Sequence, residues 1–209
     1  SVSHSHYTVT RYDFETSTPV PVFTHSVTAA HGMTFDGEFL WIANGSGNVY
    51  GYDLSGNQVG SFSTPISTYI LITWDGEYFI VNDAPNTDTG NPFYRLDHSG
   101  SIIETITSND TFYSNGAVWV EGHSEGQLWV NDYANDIIVQ LAYSEGSFYH
   151  VNEFSAGGLA DYDLAHDGMD LYSSPYSDIL YKIDDGQDWS SDCDFVIGPD
   201  ADCAGECFG

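Results

Sequence analysis

The sequence predicts an all-β fold, and within that class a β-propeller of four-stranded antiparallel blades. Three observations lead to this prediction. A hairpin signature with a tight turn occurs four times, its copies are spaced like propeller blades, and no stretch of about ten residues keeps an uninterrupted apolar period of 3.6. With 209 residues, of which 41% are hydrophobic and 15% aromatic, the chain has enough apolar material for a single packed domain.

An inner hairpin opens each repeat. The first copy reads His31-Gly-Met-Thr-Phe-Asp36-Gly-Glu-Phe-Leu-Trp-Ile-Ala, with alternating apolar residues on both sides of a Gly-containing turn, and this pattern indicates a β-hairpin. The turn positions Asp36, Asp75, Glu125 and Asp167 are 39, 50 and 42 residues apart. These spacings match the ~40–50 residues of a propeller blade.

A second motif supplies the third strand of each blade. Copies such as Val49-Tyr-Gly-Tyr-Asp53 and Phe93-Tyr-Arg-Leu-Asp97 end at residues 13, 53, 97, 142 and 184, and a polar turn with a fourth strand usually follows. The sequence therefore predicts four full blades at about 28–64, 69–107, 115–154 and 159–184, preceded by a half-blade at 7–24. One large aromatic side chain per blade is expected in the core between blades: Trp41, Phe79, Trp129 and Tyr172.

The strand count leaves the closure of the ring open. Third-strand motifs number five, whereas inner hairpins number four. Three arrangements satisfy this count: the strand Phe195–Ile197 completes a blade, the N-terminal hairpin is an outer appendage, or open strand edges pair with another subunit.

The charge of the chain limits its partners. Lys and Arg together number 3 against 31 Asp and Glu, for a formal net charge of -28. Such a surface repels nucleic acid and anionic lipid, so neither is an expected partner. The acidity suits a solvated surface in salty or divalent-rich water, and some of the carboxylates are calcium-ligand candidates.

The setting predicted for the chain is extracellular. No apolar run reaches the ~20 residues of a membrane helix, so membrane insertion is not expected, and the start looks like a mature end. Two glycosylation candidates, Asn44 and Asn109, lie in turn-like sequons.

The two blade motifs together, with their Asp-Gly turns and apolar-Tyr-x-apolar-Asp strands, are similar to blades of NHL, SMP-30 and glutaminyl-cyclase-like propellers. The resemblance covers Tyr7 to about Ile183 and implies the architecture. It implies no single activity, because such blades occur in hydrolases, cyclotransferases and binding scaffolds. The spaced Glu, Asn and Asp metal set of the SMP-30 type is not found, and where the cyclotransferases have a Glu-Ser-Thr-Gly stretch this chain has Ala43-Asn-Gly-Ser.

The C-terminal tail, residues 186–209, changes in composition to Asp, Gly and Cys. The stretch Asp202-Cys-Ala-Gly-Glu-Cys-Phe-Gly209 resembles a unit of thrombospondin-type-3-like extracellular proteins. That resemblance implies calcium and disulfides, with Cys193, Cys203 and Cys207 as the candidate cysteines and one of the three left over. The implied calcium ligands are Asp184, Asp188, Asp192, Asp194, Asp200 and Asp202. The alternative for this segment is a disordered acidic tail.

No motif of a serine hydrolase, a zinc protease or a phosphate-binding loop occurs in the chain. His31, His123 and His166 lie in or beside the repeat hairpins, where a turn or core role is expected. The sequence thus favours a non-catalytic secreted propeller that acts by association, as a self-assembling surface or filament subunit or as an adhesion module. Its expected partner is another copy of itself or another extracellular protein or glycan. The alternative is a ligand-binding or hydrolytic propeller with a site at the channel mouth near His31, Tyr69, Asn115 and Asp161.

Overall fold

The computed structural model describes residues 7–13, 16, 18–83, 92–108, 110–114, 116–123, 125–158, 163–174 and 180–186. Within these ranges every regular element is a β-strand, which confirms the all-β prediction. No helix of the described part could span a membrane. Several predicted sites lie outside the described residues: Asn109, Asn115, Asp161, all three cysteines and the calcium candidates from Asp188 onward.

The strands fall into a hairpin and four successive repeats. The hairpin is β1 (Tyr7–Asp13) and β2 (Thr18–His25). Repeat 1 contains β3 (Ala30–Phe35), β4 (Leu40–Asn44), β5 (Asn48–Tyr52) and β6 (Gln58–Ser63). Repeat 2 contains β7 (Ile70–Trp74), β8 (Phe79–Asp83), β9 (Phe93–Leu96) and β10 (Ile102–Ser108). Repeat 3 contains β11 (Ala117–Trp119), β12 (Leu128–Asp132), β13 (Ile137–Ser144) and β14 (Ser147–Ser155). Repeat 4 contains β15 (Asp163–His166), β16 (Leu171–Ser174) and β17 (Tyr181–Ile183).

Consecutive strands within each repeat pair antiparallel, but the sheets are not all separate. Repeat 1 is a four-stranded sheet, whereas repeats 2 and 3 form one sheet of eight strands. The link is a short parallel pairing in which Thr107 and Ser108 of β10 lie opposite Ser147 and Phe148 of β14. The β13–β14 hairpin is long enough for its tip to reach β10, where the N–H of Thr107 donates to the carbonyl of Gly146 at 3.0 Å.

The first strands of the repeats, β3, β7, β11 and β15, are the inner strands. Each packs beside the next one along the chain. Apolar clusters fill the spaces between neighbouring sheets: Trp41, Phe62 and Phe79 between repeats 1 and 2, Phe93 and Phe148 between repeats 2 and 3. Trp129, Leu164 and Ile183 pack between repeats 3 and 4, and Phe23 and Tyr52 join the β1–β2 hairpin to repeat 1. The core is therefore a series of interfaces between sheets.

The four aromatic residues expected in the core are all buried, but the strand register shows that they do not occupy the same place in every repeat. Trp41 lies opposite Gly51, Trp129 opposite Gln140, and Tyr172 opposite Lys182. The residue at the same place in repeat 2 is Ile80, which lies opposite Arg95, and not Phe79. Phe79 is the neighbouring residue, and it packs in the core between repeats 1 and 2. The side chain of Ile80 has no hydrogen-bond donor. In repeat 2 the guanidinium of Arg95 therefore makes the polar contact with the turn that an indole or phenol makes in the other repeats.

One correction concerns the turn of repeat 3. In repeats 1, 2 and 4 the residue after the inner strand is Asp36, Asp75 or Asp167, and its N–H donates to a carbonyl three residues on. In repeat 3 this residue is Val120, whose N–H donates to the carbonyl of Gln127 at 2.7 Å. The loop between them is longer, so Glu125 lies inside the loop and is not the turn residue.

Candidate functional site

The central cavity lies where the four inner strands end, and its volume is about 340 Å³. It is lined by residues 33–35 of β3, 73–74 of β7, 117–119 of β11 and 164–166 of β15, with Leu40 of β4. These lining residues include no Asp, Glu, Lys or Arg. The lining side chains are therefore mostly apolar or aromatic, with the hydroxyl groups of Thr34 and Thr73 and the imidazole of His166 as polar groups beside the backbone.

Four of the lining residues occupy equivalent positions and form what we term the ring: Phe35, Trp74, Trp119 and His166. Each is the last residue of its inner strand. Each also pairs with the first residue of the next strand, namely Leu40, Phe79, Leu128 and Leu171. The repeat thus brings three aromatic side chains and one imidazole to the same level of the central cavity.

Turn chemistry ends the inner strands at the ring. In repeat 1, Asp36 Oδ1 accepts the N–H groups of Glu38 and Phe39 at 2.8 and 2.7 Å, and Asp75 and Asp167 form the same turn. Burial tends to raise the pKa of Asp36, but hydrogen bonds from Phe39, His98, Glu38 and Trp41 outweigh it and hold the pKa below its ordinary value. The Asp36 carboxylate therefore stays ionised as an acceptor that fixes the chain direction just beyond the ring.

The second oxygen of each turn carboxylate takes a different donor in each repeat. Asp36 Oδ2 accepts Trp41 Nε1–H at 2.7 Å, and Asp167 Oδ2 accepts the hydroxyl of Tyr172 at 2.9 Å. Asp75 Oδ2 accepts Arg95 Nε–H at 2.6 Å. The carboxylates thereby tie the turns to the neighbouring strands.

Repeat 3 has no turn carboxylate, and a histidine takes its place. Trp129 Nε1–H donates to His123 Nδ1 at 2.8 Å, as Trp41 does to Asp36. The longer loop of repeat 3 is what carries His123 to this position. The contacts that His123 makes give a local reason for the longer loop of repeat 3.

His123, His166 and Asp185 form a nearly fully buried cluster beside the central cavity. Asp185 Oδ2 lies 3.3 Å from His123 Nε2 and 2.9 Å from His166 Nε2. The two imidazole rings are perpendicular, with centroids 5.0 Å apart. Since His166 belongs to the ring, the hydrogen bonds of the cluster hold one residue of the cavity wall in place.

Hydrogen bonds assign the tautomers in this cluster. His123 Nδ1 accepts the N–H of Trp129, and His166 Nδ1 accepts the N–H of Gly168 at 3.0 Å. A neutral imidazole that accepts at Nδ1 carries its proton on Nε2. Both Nε2–H groups therefore point to the Asp185 carboxylate, which accepts them together.

The ligand atoms of these three residues lie within 4.8 Å of one another, a spacing that suits a metal ion. A metal on Nε2 needs the lone pair there and leaves the proton on Nδ1. That proton would meet the N–H groups of Trp129 and Gly168, which are donors themselves. The residues do not fit a metal in this arrangement, and for the same reason neither histidine offers a ring nitrogen as a general base.

An equivalent contact joins repeats 1 and 2 with the polarity reversed. His98 and Asp185 occupy the same place, two residues after the paired positions Leu96 and Ile183. His98 Nε2 lies 3.0 Å from Asp36 Oδ2, so the later repeat supplies the imidazole and the earlier one the carboxylate. Between repeats 3 and 4 the carboxylate is Asp185 and the imidazole is His123. A pair of one carboxylate and one imidazole thus recurs between neighbouring repeats. Between repeats 3 and 4 a second imidazole, that of His166, joins the pair and lines the central cavity.

Trp119 has an unused donor. Its backbone N–H donates to Thr73 Oγ1 at 2.9 Å, which joins two inner strands. Its indole Nε1 is buried and has no hydrogen-bond acceptor among the described residues. A buried donor without an acceptor costs about 1–3 kcal/mol, so an acceptor brought by a ligand would be favourable here.

Comparisons with known proteins identify the fold alone. No protein-family model and no curated protein matches the chain. Among solved structures, Myxococcus xanthus glutaminyl cyclase superposes with a TM-score of 0.56 at 16% identity, covering 76% of this chain and 67% of that one. The fold is a β-propeller. A Bacteroides caccae protein of unknown function (TM-score 0.51, 10% identity, 81% of this chain and 62% of that one) and a chain of a mitotic checkpoint complex (0.51, 12%, 84% and 68%) are also similar.

The channel mouth predicted from sequence lies at the other end of the inner strands of the propeller. Of its residues the structure describes His31 and Tyr69, and it brings them together with ring centroids 4.0 Å apart. Burial lowers the pKa of His31. The cavity with the ring lies at the opposite ends of the inner strands, where the aromatic residue before each turn was the available signal in the sequence.

Two further predicted sites are described in part. Asp184 is buried, and its Oδ1 accepts the N–H of Gly186 at 2.8 Å, as Asp53 and Asp97 do in their own turns. Asn44 is also buried, and its Oδ1 accepts the N–H groups of Ser46 and Asn48, both at 3.0 Å. Both side chains thus have local roles in turns of the propeller.

Proposed function

We propose that this protein is a binding module that holds a small ligand in the central cavity. The observation that carries the proposal is the ring, which sets Phe35, Trp74, Trp119 and His166 at one level around about 340 Å³. Ligand sites are commonly concave, mostly apolar, and about 300–1,000 Å³ in volume, with few polar groups that orient the ligand. One lining residue, Trp119, carries a buried indole N–H without an acceptor among the described residues.

The proposed role is non-catalytic. Support comes from the buried cluster, in which every ring nitrogen of His123 and His166 has a hydrogen-bond partner. A general base needs a free nitrogen within reach of the substrate proton. Binding without chemistry is therefore the simpler role for this wall.

Further parts of the proposal extend beyond the described residues. We propose that the four repeats are the blades, that β1 and β2 form a half-blade, and that the chain is secreted with a calcium-binding, disulfide-containing tail. The strong excess of Asp and Glu over Lys and Arg supports an environment rich in salt or divalent ions.

A matched pair of variants tests the cavity. Phe35 in the ring is 47% exposed and Tyr149 on β14 is 48% exposed, so each can be changed to Ala at similar cost to the fold. We expect at least one of three probes, glucose, benzyl alcohol and choline, to show saturation-transfer NMR signals with the wild type and with Tyr149→Ala. These signals should be lost with Phe35→Ala. Absence of binding for all three probes, or equal signals for the two variants, would contradict the proposal.

A second candidate function is self-association, and a different observation favours it. The outermost strands of the hairpin and the first three repeats, β2, β6, β10 and β14, present exposed apolar side chains: Val22, Val59, Ile102, Ile103, Tyr149 and Val151. β2 and β6 are edge strands, and β10 pairs with β14 only at Thr107 and Ser108, which leaves Ile102 and Ile103 outside that pairing. Exposed β-branched residues on such unpaired strand edges favour pairing with another chain. Sedimentation of the wild type should then show oligomers. Ile103→Lys should reduce the oligomers, whereas the control Met169→Lys, on a turn of repeat 4, should not. A monomer at all concentrations would rule this function out.

A further inference from the structure

Charge restricts what the central cavity can hold. Of the three basic side chains, Arg95 is paired with Asp75 and Glu104, and Lys182 with Asp170, at 2.6 to 3.0 Å. Neither Lys nor Arg is among the described residues that line the central cavity, and the net charge of the chain is -28. The potential at the site is therefore negative, which repels anions and attracts cations.

The wall of the central cavity suits a particular kind of cation. No carboxylate is among the described residues that line it, so a compact, strongly hydrated ion would lose its water without gaining a partner there. Phe35, Trp74 and Trp119 are among the lining residues, and the negative face of an aromatic ring attracts a cation within about 6 Å of its centroid. The thioether of Met33 adds polarisable surface. A cation whose charge is spread over methyl groups satisfies both the apolar wall and the negative potential.

The ligand also needs an acceptor. The indole N–H of Trp119 is the buried donor without a partner in the described part of the chain. The imidazole of His166 is not available for this task, because its Nε2–H is directed to Asp185. An oxygen close to the cationic group would accept the indole N–H.

Resting on the proposed function, we infer that the ligand is a small methylated ammonium compound that carries a hydroxyl or carbonyl oxygen. The aromatic residues of the ring hold the cationic group, and Trp119 orients the oxygen. The acidic surface raises the local concentration of the ligand without forming a direct ion pair.

Two isosteric probes test this inference. Choline and 3,3-dimethyl-1-butanol have the same shape and the same hydroxyl group, and differ in having nitrogen or carbon at the branched centre. Calorimetry should show choline binding at least about tenfold more tightly, a difference within the range of desolvated cation–aromatic contacts. Phe35→Leu keeps apolar bulk but removes a ring, so it should weaken choline by about two- to fivefold and leave the neutral probe unchanged. Tyr149→Leu should change neither affinity.

The outcomes distinguish the inference of a cationic ligand from the proposed binding cavity on which it rests. If the neutral probe binds as tightly as choline, the cationic ligand is wrong and the binding cavity stands. If neither probe binds, the cationic ligand is again wrong, and glucose and benzyl alcohol decide on the cavity. The wild-type comparison is sufficient by itself if Phe35→Leu does not fold.

Discussion

Asp185 shows how single residues of this propeller combine stability with the shape of the site. Its carboxylate accepts two imidazole N–H groups in a place where water has almost no access. A buried network of this kind is favourable only while each member has its partner. The position of His166 in the ring therefore depends on a residue that does not line the central cavity.

Removal of the Asp185 carboxylate should be costly. Asp185→Ala leaves two buried N–H donors without an acceptor, and we expect a loss of about 2–5 kcal/mol in the free energy of unfolding, measured by urea denaturation. His98→Ala is the matched control, since His98 holds the equivalent position but its side chain is 52% exposed. We expect less than about 1 kcal/mol for the control. Similar losses for the two variants would show that the buried cluster has no special role.

Asp163, at the start of β15, predicts a pH effect. Burial raises its pKa to about 7, against one hydrogen bond from the N–H of Leu164 that lowers it. The folded protein thus keeps a proton that the unfolded chain releases near pH 4, so this group lowers the stability as the pH rises from about 4 to about 7. Asp163→Asn stays neutral, and its free energy of unfolding should fall less over this range than that of the wild type. Parallel curves for the two proteins from pH 4.5 to 7.5 would refute the assignment.

At the scale of the elements, small residues on one strand make room for large ones on the next. Gly51 of β5 lies opposite Trp41 of β4 and opposite Gly60 of β6. A Cβ added at Gly51 would lie 2.8 Å from the indole of Trp41, whereas one added at Gly60 would lie at an ordinary 3.6 Å. The position equivalent to Gly51 holds Arg95, Gln140 or Lys182 in the other repeats.

This difference gives a paired test on neighbouring strands. Gly51→Ala should destabilise the protein by about 1–3 kcal/mol, because the indole of Trp41 has to leave its place between the sheets. Gly60→Ala should be neutral or slightly stabilising, since alanine restricts the unfolded chain. The melting temperatures of the two variants give the answer, and equal values would mean that Trp41 is not held as the register indicates.

The elements of the propeller were largely predictable, because their signals are local. The Asp-Gly turns at Asp36, Asp75 and Asp167 define hairpins within a few residues of sequence. The repeat 3 turn was misplaced because its loop is longer and Val120 replaces the carboxylate. The parallel link between β10 and β14 joins residues about 40 apart through backbone groups, so no side-chain pattern announces it. The ring was missed for a similar reason: three aromatic residues and His166 become equivalent only when the register is known.

At the scale of the whole molecule, repulsion among carboxylates opposes the compact state. The net charge of -28 is screened over about 10 Å at 0.1 M salt and about 3 Å at 1 M. Successive repeats also bury apolar residues against each other along the whole chain of interfaces. Stability is thus a balance between local apolar contacts and a long-range electrostatic cost.

Salt should shift this balance, and calcium tests the predicted tail. Raising sodium chloride from 0.02 to 0.5 M should raise the melting temperature by screening alone. If Asp184, Asp188, Asp192, Asp194, Asp200 and Asp202 bind calcium specifically, calcium should stabilise further at equal ionic strength, by about 2.7 kcal/mol at a hundredfold excess over Kd. Identical melting and proteolysis in calcium and in chelator with matched sodium would exclude specific sites.

The location of a bound probe tests the central claim most directly, namely that the ring forms a binding site. A crystal structure of the protein with saturating choline should show the probe in the central cavity. Its methylated nitrogen should lie within about 6 Å of the ring centroid of Phe35, Trp74 or Trp119, with its hydroxyl oxygen near the indole N–H of Trp119. Choline bound elsewhere on the propeller, with the central cavity holding only water, would contradict the account.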